Sequence, residues 1–408
     1  MVDITGKLSK YEFERLILND EIAEGLVVTK DPKNPRTAVI RTSDRISFKN
    51  CRRRWGWSSH LRHNLGPREG IGPLWFGTGI HFALEDFHGY NRFGHPKTAF
   101  LAYVKARIEH DPQRLPEDYK ELTKLGEEMM DYYLLWLQQR KNNILKTYWH
   151  EGVPQVEVNF RFEVPFDATK WGYDRVVYSG TIDRVCVDDN GWLWPLDYKT
   201  AASIATLHYA TDPQIGVYMW AMPHLYVGKE VGGFYYQQHR KQTPNPGRIL
   251  KNGQVSVAKD QMTSRLLYRQ TLIDVYGSVE LSGEGHQELL NVLGSQEDEW
   301  SDAFVRIDKV YRNERAAQSE GVKIVMELED MLNPDLPLYP NPTRDCAAFC
   351  PFHSPCVALD DGSDYKHILS TLMENRESVY DSWRKKIKWP SGAETVEDVE
   401  KVDDWLVT

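Results

Sequence analysis

Residues 176–200 read Val-Val-Tyr-Ser-Gly-Thr-Ile-Asp-Arg-Val-Cys-Val-Asp-Asp-Asn-Gly-Trp-Leu-Trp-Pro-Leu-Asp-Tyr-Lys-Thr. Two runs rich in β-branched and aromatic residues flank Asp188-Asp-Asn-Gly191, which is turn chemistry, so the stretch predicts a β-hairpin. The strands are expected over about Val176 to Val187 and Trp192 to Lys199. Register then decides the chemistry, because a slip of one residue turns every side chain to the other face. A three-residue loop, Asp189-Asn190-Gly191, closed by a left-handed glycine would pair Asp188 with Trp192 and set Asp183 opposite Asp197. Lys199, two residues on, would share that face. The other register, with Val187 opposite Trp192, would part the two carboxylates. The first is expected.

The elements around the hairpin follow from periodicity. Val156, Val158, Phe160, Phe162 and Val164 alternate with polar residues, the mark of a half-buried strand. Upstream, a helix starting near Thr78 carries His81 and Glu85 on one face, four residues apart. Two more helices are expected before residue 142; the second shows an apolar stripe of Leu122, Leu125, Met129, Tyr132 and Trp136. Downstream, Asp212-Pro213 is an N-cap followed by proline at the first helical position, opening a helix with Gln214 and Tyr218. A strand follows near Gly232–Gln238, and residues 258–335 read as amphipathic helix. The class is α/β, a mixed central sheet flanked by helices with helical insertions. The expected organisation is an N-terminal extension 1–45, a core 46–257, a helical insertion 258–342, a cysteine motif 343–357 and an acidic tail 358–408.

Composition bounds what such a protein does. The chain has 408 residues, 41% hydrophobic and 27% charged, which supports a packed core and excludes wholesale disorder. No apolar run approaches the ~20 residues of a membrane span, and Met1-Val-Asp-Ile-Thr-Gly-Lys7 lacks a charged-then-apolar signal. A soluble cytoplasmic protein without a membrane partner is expected. The net charge of −9 argues against unselective coating of nucleic acid but leaves room for a local basic channel.

Two carboxylates side by side repel unless a cation lies between them. Asp183 and Asp197 therefore suit Mg²⁺ or Mn²⁺, which prefer oxygen ligands. Such an ion would hold an attacking water and a phosphate oxygen together, with Lys199 orienting the water or stabilising developing charge. His81 is a candidate nitrogen ligand, and Glu85 a supporting contact or a ligand to a second ion. For DNA contact, Arg52-Arg53-Arg54-Trp55 mixes cations with a flat ring, as single-strand binders do. Arg240 and Lys241 form a second candidate lip.

Five cysteines in a chain without a secretory signal are a poor disulfide framework. Cys346, Cys350 and Cys356 crowd together with Pro and aromatic residues between them, as thiolate ligands to a metal or an iron–sulfur cluster do. Cys51 is the best fourth ligand. His353 between them keeps zinc open, and Cys186 in its strand is expected as a small core residue.

The order His81…Asp183…Asp197-Tyr-Lys199…Gln214-x3-Tyr218, with one cysteine before it and three after, resembles the RecB-like branch of the PD-(D/E)XK (restriction-endonuclease-like) nucleases. The cysteines resemble the [4Fe–4S] staple of the AddB-type and CRISPR-associated exonucleases. The resemblance implies metal-dependent cleavage of DNA phosphodiesters by an exonuclease acting on ends or single strands. His81, Asp183, Asp197 and the Tyr198 backbone carbonyl would be Mg²⁺ or Mn²⁺ ligands, Lys199 the catalytic lysine, and Gln214 and Tyr218 would line the DNA path. Cys51, Cys346, Cys350 and Cys356 would hold the cluster. The x3 and x5 cysteine gaps depart from the more usual x2 first gap, so zinc stays open. No Gly-x4-Gly-Lys-Ser/Thr loop is found, so a stand-alone enzyme of DNA recombination, repair or replication is expected, of a kind frequent in bacteriophages. The alternatives are a catalytically weak DNA-binding scaffold and a zinc-stabilised adaptor of a replication or recombination complex.

Overall fold

The computed structural model describes residues 36–68, 70–90, 94–139, 145–294 and 303–376. The expected extension before residue 36 and the tail beyond residue 376 lie outside the described residues.

A seven-stranded mixed sheet is built from β1 (Thr37–Arg41), β2 (Lys146–Thr147), β3 (Val156–Glu163), β4 (Arg175–Val187), β5 (Leu193–Ala201), β6 (Phe234–Arg240) and β7 (Val305–Val310). The long strand β4 organises it. Along one edge β4 pairs antiparallel with β3, from Val156↔Arg184 to Glu163↔Val177, and β2 continues that edge. Along the other edge two strands follow in succession. β1 runs parallel beside Arg175–Ser179, and β5 runs antiparallel from Arg184↔Leu196 to Val187↔Leu193. β5 is parallel to β6, and β6 antiparallel to β7. Between Ser179 and Arg184, β4 therefore faces a fork rather than a neighbour on this edge.

The hairpin has the expected turn. Gly191 is left-handed at φ +81°, the Asp188 N–H donates to Trp192 O at 3.1 Å, and the Asp188 carboxylate accepts from the Asn190 and Trp192 amides. A side chain at Gly191 would be strained whatever the space around it, so the glycine helps fix the register.

Twelve helices are described: α1 (Thr42–Asn50), α2 (Arg52–Ser58), α3 (Gly72–His88), α4 (Pro96–His110), α5 (Tyr119–Gln138), α6 (Pro213–Leu225), α7 (Arg265–Tyr276), α8 (Glu284–Leu293), α9 (Glu314–Leu332), α10 (Cys346–Phe349), α11 (His353–Asp361) and α12 (Tyr365–Leu372). α3 starts at Gly72-Pro73 and repeats apolar residues every three to four positions. Its Phe76, Ile80, Leu84 and Phe87 pack with Phe100, Tyr103, Tyr133 and Trp136 of α4 and α5 and with Leu196, Tyr198 and Tyr235 of the sheet. On the other face, Ile215, Tyr218 and Met222 of α6 and Ile324 and Leu328 of α9 pack with Ile182, Val185 and Phe234. Each such fully buried side chain contributes about 1.5–3 kcal/mol of transfer free energy. Buried Arg45 of α1 ties the N-terminal arm to α9 through Glu320 at 2.7 Å and through Glu327.

The sheet reaches beyond the expected core. Thr37–Arg41, expected in the extension, is β1, and Val305–Val310, expected in the helical insertion, is the strand beside β6. Each is short, so neighbouring periodicity hides it. The expected tail is not all free, since Met373–Asn375 pairs antiparallel with Leu65–Pro67. No helix among the described residues is long and apolar enough to cross a membrane.

Candidate active site

The fork leaves backbone groups of β4 and β5 without ladder partners, and buried backbone groups need partners. Side chains supply them. The Tyr198 N–H donates to Asp183 Oδ2 at 2.6 Å, Tyr218 Oη donates to Thr181 O at 2.5 Å, and Thr42 Oγ1 donates to Ser179 O at 3.2 Å. Three of the residues that the hairpin and helix motifs singled out, Asp183, Tyr198 and Tyr218, are therefore also what holds the fork open.

His81 reaches the fork from α3, its Nδ1 lying 3.4 Å from Asp183 Oδ2. Burial alone would lower the imidazole pKa, but Asp183, with Glu157 adding to it, raises it to about 9. Burial would raise the Asp183 carboxyl, yet His81, Lys199 and the Tyr198 amide hold it below the usual carboxylate range.

Asp197 is placed differently. Its Oδ2 lies 2.6 Å from Lys199 Nζ, and its Oδ1 accepts from Gln214 Nε2 at 2.9 Å. Lys199 also donates to Gln214 Oε1 at 2.9 Å, and Gln214 Nε2 lies 2.8 Å from Tyr218 Oη. Gln214 is set in place by the helix start, where Asp212 accepts its backbone N–H at 2.8 Å. Burial, opposed by Lys199 and reinforced by Asp183, lifts the Asp197 carboxyl to about 6. The ammonium of Lys199 is held charged against burial by Asp197 and Asp183.

A cavity of about 330 Å³ opens onto the fork between α3 and β3, lined in part by His81, Glu85, Glu157 and Asp183. In the sequence, strict alternation marks Glu157 only as a polar-face residue. Ligand atoms of His81, Glu157 and Asp183 all lie within 4.8 Å of one another. One imidazole and two carboxylates suit a hard divalent ion. Asp197, across the fork, does not lie within that distance of all three. Glu85 lines the same cavity.

The expected basic–aromatic DNA surface is corrected by packing. Trp55 is fully buried, edge-on to Phe48 with Arg62 over its ring, so it has no face to offer a base. Arg53 is buried and donates to Asp360 at 2.7 Å, and Arg52 stacks over Phe48 and Tyr339 and lies 3.4 Å from Asp330. Arg54 is partly exposed, its amide donating to Cys51 Sγ. Arg240 lies over Phe304 and Lys241 over Phe76 of α3, at the end of β6.

Four cysteines gather where the N-terminal and C-terminal arms meet. Cys51 Sγ accepts from Asn341 N at 3.4 Å, Cys346 Sγ from Thr343 N at 3.3 Å and Cys356 Sγ from Arg53 Nη1 at 3.3 Å. Burial raises the thiol pKa of Cys350 and of Cys356, and Cys51 adds to both. Among the described residues no three of these sulfurs lie mutually within 4.8 Å. The expected ligand set is therefore not arranged as a cluster among the described residues. Cys186 is a buried core residue, as its strand position suggested.

The profile of the PD-(D/E)XK nuclease superfamily matches residues 44–357. No curated protein matches the chain.

Proposed function

The chain belongs to the PD-(D/E)XK nuclease superfamily, and from that premise we propose that it is a metal-dependent exonuclease that hydrolyses DNA phosphodiesters at ends or in single strands. What carries the reading is the meeting of His81, Asp183, Asp197 and Lys199 within one fork of the sheet.

His81, Asp183 and Asp197 are assigned as ligands of Mg²⁺ or Mn²⁺, with the Tyr198 carbonyl adding one and Glu85 a supporting contact or a ligand to a second ion. When bound, the ion supplies charge for a phosphate oxygen and lowers the pKa of a bound water. Lys199 orients the attacking water and offsets the charge that builds on the phosphate. Asp197 and Gln214 fix the ammonium from two sides, so it is held in place before substrate arrives. Tyr218 braces Gln214 from behind. Arg240 and Lys241 are assigned to the phosphates of the incoming strand, and Arg54 to a more remote contact. The four cysteines are assigned to a [4Fe–4S] cluster, with zinc the alternative. The support is their convergence from both ends of the chain and the N–H donors aimed at three of the sulfurs. Cluster binding would tie the two arms of the core, as metal binding contributes to folding. A role in recombination, repair or replication, in the cytoplasm of a bacterial host if phage-encoded, fits this chemistry.

Digestion of 5′- and 3′-labelled single and double strands with Mg²⁺ or Mn²⁺ tests the proposal. Stepwise loss from one end supports it; internal fragments alone, or no products, count against it. Anaerobic purification tests the cluster: brown protein supports iron–sulfur, and colourless protein carrying zinc overturns it.

A further inference from the structure

Resting on the nuclease reading above, we propose that Trp149 and Tyr90 form a stacking platform for an unpaired base of the DNA strand, and that this platform selects single strands.

The two walls of the cavity end in these rings. Leu74, Thr78, His81 and Glu85 recur every three or four residues, so one face of α3 runs along the cavity. Tyr90 follows that helix directly after its cap, Gly89. Glu157 of β3 lines the other wall, and Trp149 stands shortly before β3 in the chain. The two ends meet. A Cβ at Gly89 would lie 3.3 Å from Val156, and Thr147 Oγ1 donates to His88 O at 2.8 Å. The Tyr90 and Trp149 rings are 5.9 Å apart, edge to face at 88°. From His81 to the last helical residue, His88, the axis advances about 10 Å, so a strand with a phosphate at the fork reaches the rings within a few nucleotides.

An excursion that the sheet itself does not need puts Trp149 there. β2 and β3 are two parts of one edge along β4, with Thr147↔Cys186 before the gap and Val156↔Arg184 after it. In the gap Tyr148 N donates to Val185 O and Val185 N to Gln155 O, both at 2.8 Å, while Trp149–Pro154 leaves the edge as a small hairpin. Its turn residues, Glu151 and Gly152, are both left-handed, at φ +51° and +84°, as a two-residue I′ turn demands. Tyr226, capping α6, holds the base of the hairpin: it donates to Gln155 Oε1 at 2.5 Å and packs edge-on to Tyr148 and His150. The hairpin is anchored, yet Trp149 stays 42% exposed and Tyr90 54% exposed.

Single exposed apolar residues are ordinary. Two rings that meet and still stay half open present faces that their own contact does not cover. Area decides what covers them. An aromatic side chain buries about 150–250 Å² in full, so the two half-open rings fall far short of the about 800 Å² per partner of a stable protein interface. A nucleobase matches one ring face. In a duplex each base is already stacked and paired, so an unpaired strand is what offers such a face.

The test is fluorescence anisotropy of dye-labelled oligo-dT, in chelator so that nothing is cut, with the full chain and with Trp149→Ala, Trp149→Phe and Tyr90→Ala. A second series of strands carries one abasic site, moved one nucleotide at a time. Trp149→Ala and Tyr90→Ala are expected to weaken binding of the intact single strand, Trp149→Ala roughly five- to hundredfold, and Trp149→Phe, which keeps a ring, to weaken it less. The wild type should lose affinity when the abasic site falls at one or two adjacent positions, and Trp149→Ala should be blind to those positions. Wild-type affinity in Trp149→Ala overturns the platform, as does a wild type whose affinity ignores every abasic position or that binds no single strand. Cleavage of intact strands in Mn²⁺ separates the two readings. Cutting by a wild type without the abasic signature removes only the platform; the signature without cutting removes only the nuclease reading.

Discussion

The backbone N–H of Tyr198 donates to Asp183 Oδ2 at 2.6 Å, across the point where β4 and β5 separate. A carboxylate has replaced a ladder carbonyl. The same side chain that is assigned to the metal thus also satisfies a buried amide, and the sheet cannot simply zip shut past Arg184 and Leu196 while it does so.

Asp183→Asn and Asp183→Ala should both abolish metal-dependent cleavage, but they should differ in stability. The asparagine carbonyl can still accept the Tyr198 N–H, whereas alanine leaves that amide unsatisfied at a cost of about 1–3 kcal/mol. Urea unfolding of the metal-free proteins checks this. Equal midpoints for the two variants would show that the Asp183–Tyr198 contact does not hold the fork.

Lys199→Met should lower the cleavage rate by roughly 10²–10⁴, the usual range for losing a positioned proton-handling group, without changing the far-ultraviolet circular dichroism. Lys199→Arg should not restore the rate, because a planar fork does not fit a site built around a compact ammonium between Asp197 and Gln214. Near-wild-type turnover in either variant would remove Lys199 from the chemistry.

Gly79→Ala probes how α3 carries His81. A Cβ at Gly79 would lie 2.8 Å from the Tyr103 ring and 2.9 Å from Phe100, so α3 and α4 must move apart. Overpacking of this kind costs about 1–3 kcal/mol, and His81 stands two residues further along the displaced helix. Both melting temperature and metal-dependent rate should fall. An unchanged rate with a lowered melting temperature would mean that the helix position does not set the imidazole.

Acid stability should follow His239, which is buried with its Nε2 2.8 Å from Gln237 Nε2. Burial, with His81 adding to it, lowers its pKa from 6.5 to about 3. The folded protein therefore keeps this ring neutral while the unfolded chain protonates it, and stability is lost as pH falls from 6.5 towards 3. The slope per group approaches about 1.4 kcal/mol per pH unit. His88, whose pKa burial also pushes far down, acts in the same sense. Denaturant titrations across this range should show a shallower loss in His239→Gln; superimposable curves would contradict it.

The parts of the site that could be read from the sequence are those fixed by local chemistry. Asp188-Asp-Asn-Gly191 specifies a turn, the turn specifies the register from Val187↔Leu193 to Arg184↔Leu196, and Asp212-Pro213 specifies where α6 begins. Glu157 was not legible. β3 joins β4 through a long connection with no tight turn, so nothing local says which polar residue of β3 stands opposite Asp183. Nor does any local pattern predict a glutamate with positive φ. Arg52, Arg53 and Trp55 misled for a related reason. Cations beside flat rings describe a DNA surface and a packed arm equally well, and three partners of the two arginines, Asp360, Tyr339 and Cys356, are about 300 residues away. β7 was hidden because a six-residue strand between helices leaves only three buried positions, Val305, Ile307 and Val310.

The most direct test of the account is the release of nucleotides from labelled DNA by the wild-type chain and by Asp183→Asn, each with Mg²⁺ or Mn²⁺ and again with excess chelator. The account predicts cleavage by the wild type that stops on chelation and is missing in Asp183→Asn. Cleavage that persists in the chelator, or that Asp183→Asn retains at the wild-type rate, would contradict it.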